Sequence, residues 1–140
     1  MERARTVTRF LLRVVAGFLF MHHGGQKLFG WFGGVPPGGG AVPLWSQAGI
    51  GGALEFFGGL LVLLGLFTRP AAFVLAGEMA VAYFQFHQPR GAMPIQNHGE
   101  PAVLYCFLFL FFAAWGPGEW SLDALRWRRR SVADRTAMVH

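Results

Sequence analysis

The chain has 140 residues, a formal net charge of +5 and a pI near 10.7, yet only 14% of its residues are charged, against about a quarter in soluble proteins. Residues 1–13 and 119–140 hold most of the charge, and the 105 residues between hold only Lys27, Glu55, Arg69, Glu78, Arg90 and Glu100. Such an interior lacks the polar faces that a soluble helical domain requires, and the basic excess comes largely from "RWRRR" (126–130), with no motif that reads nucleic acid.

Four apolar segments follow one another near 10–29, 51–67, 70–87 and 101–116. A spanning helix needs about 20 residues, with roughly 17 to 25 tolerated. Backbone amides in lipid must be paired internally, so runs this apolar are expected to be helices. The first begins with arginines, but Arg13 interrupts it and no A-x-A cleavage site follows, which marks a retained span rather than a signal peptide. "GGVPPGGGAVP" (33–43) cannot continue a helix. "TRP" (68–70) reads as a tight turn, "HQPRGAMPIQNHGEP" (87–101) as a polar loop, and "GPG" (116–118) ends the fourth span. Beyond it, Ser121 can cap a short helix, "LDALRWRRR", with Asp123 near its positive end. Leu122, Leu125 and Trp127 suit an interfacial lie, where the arginines meet anionic headgroups. No further role is expected of this piece. The pattern predicts one all-α domain over 1–140: an integral membrane four-helix bundle with a short interfacial helix in its tail, 119–140.

Orientation follows from the cations. Arg3, Arg5, Arg9, Arg13, Arg69, Arg126, Arg128, Arg129, Arg130 and Arg135 fall on one side, and only Lys27 and Arg90 on the other. Both termini are therefore expected in the cytoplasm. Trp115, Trp120 and Trp127 would belt the inner face, Trp31 and Trp45 the outer.

With that topology the rare polar groups gather in the outer half. His22, His23, Gln26 and Lys27 end span 1, Glu55 enters span 2, Glu78 lies deepest in span 3, and Gln85, His87 and Gln88 end it. Asn97, His98 and Glu100 lead into span 4 from the same side. His22, His23, Gln26, Lys27, Glu55, Glu78 and Gln85 form the candidate polar pocket. Glu55 shares a face with Gly51, Gly58 and Gly59, suited to close helix packing. An isolated ionised carboxylate in lipid costs several kcal/mol, so Glu78 is expected to be neutral or paired. Lys27 either snorkels to headgroups or pairs with Glu55. At least one of His22 and His23 is expected to hydrogen-bond Glu55 or Glu78, while Lys27 neutralises the remaining charge. The simpler alternative is that both histidines satisfy backbone carbonyls. No ligand pair of metal-binding spacing lies on one helix face, so no metal is expected. Cys106, the single cysteine, excludes an internal disulfide or Cys-x-x-Cys redox pair.

The run "LLRVVAGFLFMHHGGQKLFG" (11–30), the run "LEFFGGLLVLLGLFTRPAA" (54–72) and "GPGEWSLDAL" (116–125) together resemble the DoxX family of small bacterial membrane proteins. The resemblance covers roughly residues 9 to 125 and implies a four-helix bundle in the inner membrane. The family includes a small subunit of thiosulfate:quinone oxidoreductase, and its members are often linked to redox or sulfur stress. It transfers no catalytic residue, leaves open whether this chain is an enzyme, and points to quinone as the cofactor to test.

Two functions of different class remain. One is a membrane subunit of a redox complex, with quinone at the polar pocket and redox proteins as partners besides the bilayer. Quinone reduction needs proton delivery, which buried Glu and His chains supply. The other is a non-catalytic anchor or assembly protein, in which the polar cluster only locks the helices together. Small-solute permeation lacks the expected repeats or broken helices and would require oligomers.

Overall fold

Among the described residues every element is helical, and the breaks fall where glycine and proline place them. The structure, a computed structural model, describes residues 1–137 with side chains as far as Arg129; the side chains of Arg130 and Arg135 and residues 138–140 of the expected tail lie outside the described residues. Helix α1 (Glu2–Phe29) ends at Gly30, whose φ of 71° is the left-handed conformation that stops a helix. A loop leads to α2 (Gln47–Ala53), where Ser46 Oγ accepts from the Gly49 amide at 3.1 Å. A π-helical turn (Leu54–Gly58) joins α2 to α3 (Gly59–Leu64) without a break in direction. The turn expected at 68–70 lies instead at 65–67, where Gly65 and Phe67 take left-handed conformations. Residues 68–70 begin helix α4 (Thr68–Ala82), which passes into a second π-turn, Tyr83–His87. The short α5 (Pro94–Asn97), then α6 (Glu100–Trp115) and α7 (Leu122–Ala137), complete the described chain.

Among the described residues, Gln47–Leu64 alone is long and apolar enough to cross a membrane by length and composition, and α6 is apolar but shorter. The sequence expectation was four such segments. The physical difference lies in their polar content: α1 carries Arg9, Arg13 and the His22–Lys27 cluster, and the run from α4 into its π-turn carries Arg69, Glu78, Gln85 and His87.

Close packing of α1 on α2 and α3 rests on two glycine pairs. A Cβ on Gly17 would lie 2.7 Å from the Gly59 carbonyl oxygen, and one on Gly24 would lie 2.6 Å from that of Gly52. Both pairs recur seven residues apart, which keeps them on one stripe of each helix. Gly51 and Gly58, one residue earlier, face α4 instead, against Glu78 and Leu75. The doubled glycines at 51–52 and 58–59 thus let one helix meet two neighbours. Helix α4 packs on α6 through Ala72, Leu75, Ala76 and Met79 against Ala102, Phe109 and Phe112. Phe20 of α1 closes the bundle, with its ring 4.8 Å from Phe109 and 5.1 Å from Tyr105.

The arginine-rich end is tied by polar groups. Asp123 accepts from the amides of Phe67 and Thr68 at 2.9 and 3.0 Å, capping the start of α4. Arg69 donates to the Ala113 and Ala114 carbonyls at 3.0 and 2.8 Å, at the end of α6. Arg13, only 2% exposed, donates to Trp120 O at 2.8 Å. Ser121 does cap α7, its Oγ accepting from the Ala124 amide at 3.1 Å. Asp123 lies in the first turn of its own helix, as expected, and in addition caps α4, because the chain reverses at 116–121 and brings α7 beneath the turn before α4. Arg13 is a buried tie.

Candidate functional site

Three of the seven candidate residues converge near the opposite end. Lys27, in the last turn of α1, donates from Nζ to Glu55 Oε1 at 2.6 Å. Gly52 makes this possible: a Cβ there would lie 2.7 Å from the Lys27 Cβ, so the lysine stem runs along bare backbone. Glu55 lies within the first π-turn, a feature frequent at functional sites, and its side chain is 5% exposed, against 28% for Lys27. Glu78 comes from α4, with Oε1 beside Gly51, where a Cβ would stand 3.1 Å away. Glu78 lies within electrostatic reach of both Glu55 and Lys27. Glu55 Oε2 and Glu78 Oε2 are buried, and neither has a hydrogen-bond partner in the protein.

One ammonium therefore faces two carboxylates. Burying charge costs several kcal/mol per ion, and partners repay that only when the remaining lone pairs are satisfied. Here two acceptor oxygens remain unsatisfied, so the cluster is chemically suited to a group that donates hydrogen bonds. The remaining N–H groups of Lys27 can serve an acceptor at the same place.

The other candidates lie apart. His22 Nδ1 is 2.7 Å from the Phe18 carbonyl oxygen, and its ring is held between those of Phe18 and Phe32. His23 is exposed, near enough to Glu55 to act through space but without a hydrogen bond to it. The expected histidine–glutamate hydrogen bond is thus absent. Consecutive residues on a helix point about 100° apart, and the inward direction in this turn belongs to Gly24, which the backbone of Phe56 approaches closely. Gln26 Nε2 donates to Gly34 O at 2.9 Å and holds the loop after α1. Gln85 accepts from Gln47, linking the second π-turn to α2.

The 87–101 segment is also better ordered than a plain polar loop. Asn97 is 1% exposed; its side chain donates to Gly91 O at 2.8 Å and accepts from the Gly99 amide at 2.8 Å. His87 Nδ1 lies 3.1 Å from Asn97 O, whereas His98 and Glu100 are exposed. Asn97 itself was the available signal, since an asparagine side chain readily accepts from the amide two residues on. Among the described residues, no group of three or more His, Cys, Asp or Glu side chains is placed to hold a metal ion.

Between α2–α3 and α4 runs an apolar groove of about 650 Å³, which none of Lys27, Glu55 and Glu78 lines. Leu54, Phe57, Leu61, Val74 and Leu75 are among the residues that line it. Glu78 stands one helical turn along α4 from Val74 and Leu75, on the same side of the helix.

The DoxX family model matches residues 8–88, which include most of α1, both segments of the second long helix and α4. An uncharacterized protein of Haemophilus influenzae is 41% identical over 88% of this chain and 93% of its own length. The uncharacterized membrane protein Rv3486 of Mycobacterium tuberculosis is 33% identical over 87% of this chain and 82% of its own. The inner membrane protein YqjF of Escherichia coli is 30% identical over 89% and 96%, respectively. No solved structure matches the chain. With the glycine stripes, the Lys27–Glu55 pair and the turn at 65–67 all lying inside the matched region, this chain belongs to the DoxX family of membrane proteins.

Proposed function

We propose that this protein crosses the bacterial inner membrane as a four-helix bundle with both termini in the cytoplasm. In this reading it serves as the membrane subunit of a quinone-linked redox complex. The observation that carries the proposal is the Lys27–Glu55–Glu78 cluster, which holds two buried carboxylate oxygens without a hydrogen-bond partner in the protein; Glu78 stands one helical turn along α4 from an apolar groove. Quinone is the cofactor class to which the family resemblance points, and the residues present fit it. The two Oε2 atoms can accept from hydroxyls, Lys27 can donate to a carbonyl oxygen, and the groove suits an isoprenoid chain. When bound, a quinone supplies two-electron, two-proton chemistry; Glu55 and Glu78 would hold and pass the protons.

The test is a titration of the purified protein with a short-chain quinone, followed by tryptophan fluorescence. Saturable quenching, weakened about tenfold by Glu78→Gln, is the expected result, since one lost charge-assisted hydrogen bond is worth about 1.5 to 3 kcal/mol. Linear partitioning that is identical in both proteins would overturn the redox reading. It would favour the anchor or assembly role instead, which draws on the structural use of His22, Gln26 and Gln85.

A further inference from the structure

Two polar contacts join α2 to the run from α4 into its π-turn. Glu78 places Oε1 beside Gly51, where a Cβ would stand 3.1 Å away. Nearer the end opposite the arginines, Gln47 Nε2 donates to Gln85 Oε1. We propose that Gln47 and Gln85 form the gate past which protons from water at that end reach Glu78 and then Glu55. The inference rests on the reading above only in taking these two carboxylates as the groups that hold protons.

Spacing places the amide pair over the cluster. Gln47, Gly51 and Glu55 recur every four residues, and an α-helix drifts by about 40° at each such step. The π-turn at Leu54–Gly58 winds more slowly, so it takes back part of that drift and keeps Glu55 in line with the other two. On the facing run Gln85 follows Glu78 by seven residues, two turns along the same side. At 1.5 Å per residue the amides stand roughly 6 to 10 Å beyond the Gly51–Glu78 contact. The groove between the same elements is lined by apolar side chains and a glycine, which offer a proton nothing to move along.

The two amides suit a gate. Both glutamines are exposed, and the bond between them uses one of their four N–H groups, which leaves donors for water. Gln85 stands at the middle of a π-turn whose ends are held by the buried Asn97. Asn97 Nδ2 donates to Tyr83 Oη at 3.4 Å, and His87 Nδ1 donates to Asn97 O at 3.1 Å. The turn is thus fixed on one side, while toward α2 a single bond between exposed amides closes the way in. Such a bond exchanges readily with water. Lys27 and Glu55 are the charged groups that face Glu78, and His23 acts on Glu55 through space. A hydronium ion arriving past the amides gives its proton to a Glu78 oxygen and leaves as water. The cluster then holds one ammonium, one carboxylate and one carboxylic acid, and transfer of that proton to Glu55 leaves Glu78 ionised again.

The experiment mixes the full chain in detergent with D₂O by stopped flow and follows the carboxylic acid C=O infrared band that Glu78→Gln or Glu55→Gln removes. Gln47→Leu/Gln85→Leu and Gln47→Ala/Gln85→Ala both delete the amide bond, but the first fills the entrance with apolar groups and the second widens it. The first should slow exchange at least about tenfold, and the second should leave it as fast or faster. A merely structural link predicts the same change from both, and that result would overturn the gate. So would slowing by His23→Gln with no effect of Gln47→Leu/Gln85→Leu, which would put the entrance on α1. Absence of such a band at every pH at which the protein stays folded would overturn it too. If the double leucine substitution fails to fold by circular dichroism, Gln47→Leu alone, in the exposed first turn of α2, decides by the same criterion. The quinone titration stays separate: unsaturable partitioning with slowed exchange would remove the redox reading and leave the gate, and saturable binding with unchanged exchange would do the reverse.

Discussion

Lys27 and Glu55 are mutually dependent. Removing one partner of a buried pair leaves a charge in an environment that cannot solvate it, whereas replacing both with apolar groups is often nearly neutral. Lys27→Met should therefore lower stability by about 3 kcal/mol, and Lys27→Met/Glu55→Leu should recover most of that loss. Thermal unfolding in detergent measures both, and equal losses in the single and double variants would show that the pair is not coupled. Glu55→Ala should likewise cost more than Glu100→Ala, because Glu55 is 4% exposed whereas Glu100 is at the surface. At this scale the sequence was partly legible. The scarcity of charge singled out Lys27, Glu55 and Glu78, and their helical positions made a meeting possible. The histidines misled because sequence gives their depth but not their direction, and Gly24 takes the inward position between them and Lys27.

Elements were legible through their punctuation. The breaks at 30–46, 65–67, 88–99 and 116–121 all contain glycine or proline, and the long helices fill the intervals between them. The two π-turns were not legible, since a π-turn arises when one extra residue is accommodated against a neighbouring helix rather than from local propensity. The tie at the arginine-rich end was hidden for the same reason: it is tertiary. Asp123 lies 55 residues from Thr68 in sequence, and a local reading assigns it to its own helix. Capping two amides of α4 makes it more valuable than an ordinary first-turn acid. Asp123→Ala should cost about 1 to 2 kcal/mol, and Asp123→Asn, which keeps one acceptor, should cost less. Reversed ranking in unfolding experiments would contradict the capping role. Gly24→Val should be more harmful still, because its side chain would meet the backbone of Gly52 and Phe56, which cannot give way as a flexible side chain can.

For the whole molecule, the asymmetry of charge matters more than any single span. Along the axis of the bundle, Arg13, Arg69 and the start of α7 gather at one end, and Lys27, Gln85 and Asn97 at the other. The ten arginines at the first end against two cations at the second make one orientation favourable, because positive loops are retained in the cytoplasm. The tail need not be long to report this: α7 is fixed to the 65–68 turn by Asp123 and to α1 through the Arg13–Trp120 contact, so all three must share a side. A reporter fused after His140 should therefore be active only in the cytoplasm, and one inserted within 35–43 only outside. The structural ties give a sharper form of this test. Moving net positive charge to the loop after α1, by Val35→Lys/Gly38→Lys/Ala41→Lys with Arg3→Gln/Arg5→Gln, works against the native orientation. If α7 is locked to the rest of the arginine-rich end, the amino terminus, the 65–69 turn and the carboxy terminus should stay in the cytoplasm together or leave it together. A variant in which the two termini report opposite sides would mean that the helices insert independently, and that the Asp123 and Arg13 ties form only after the topology is set.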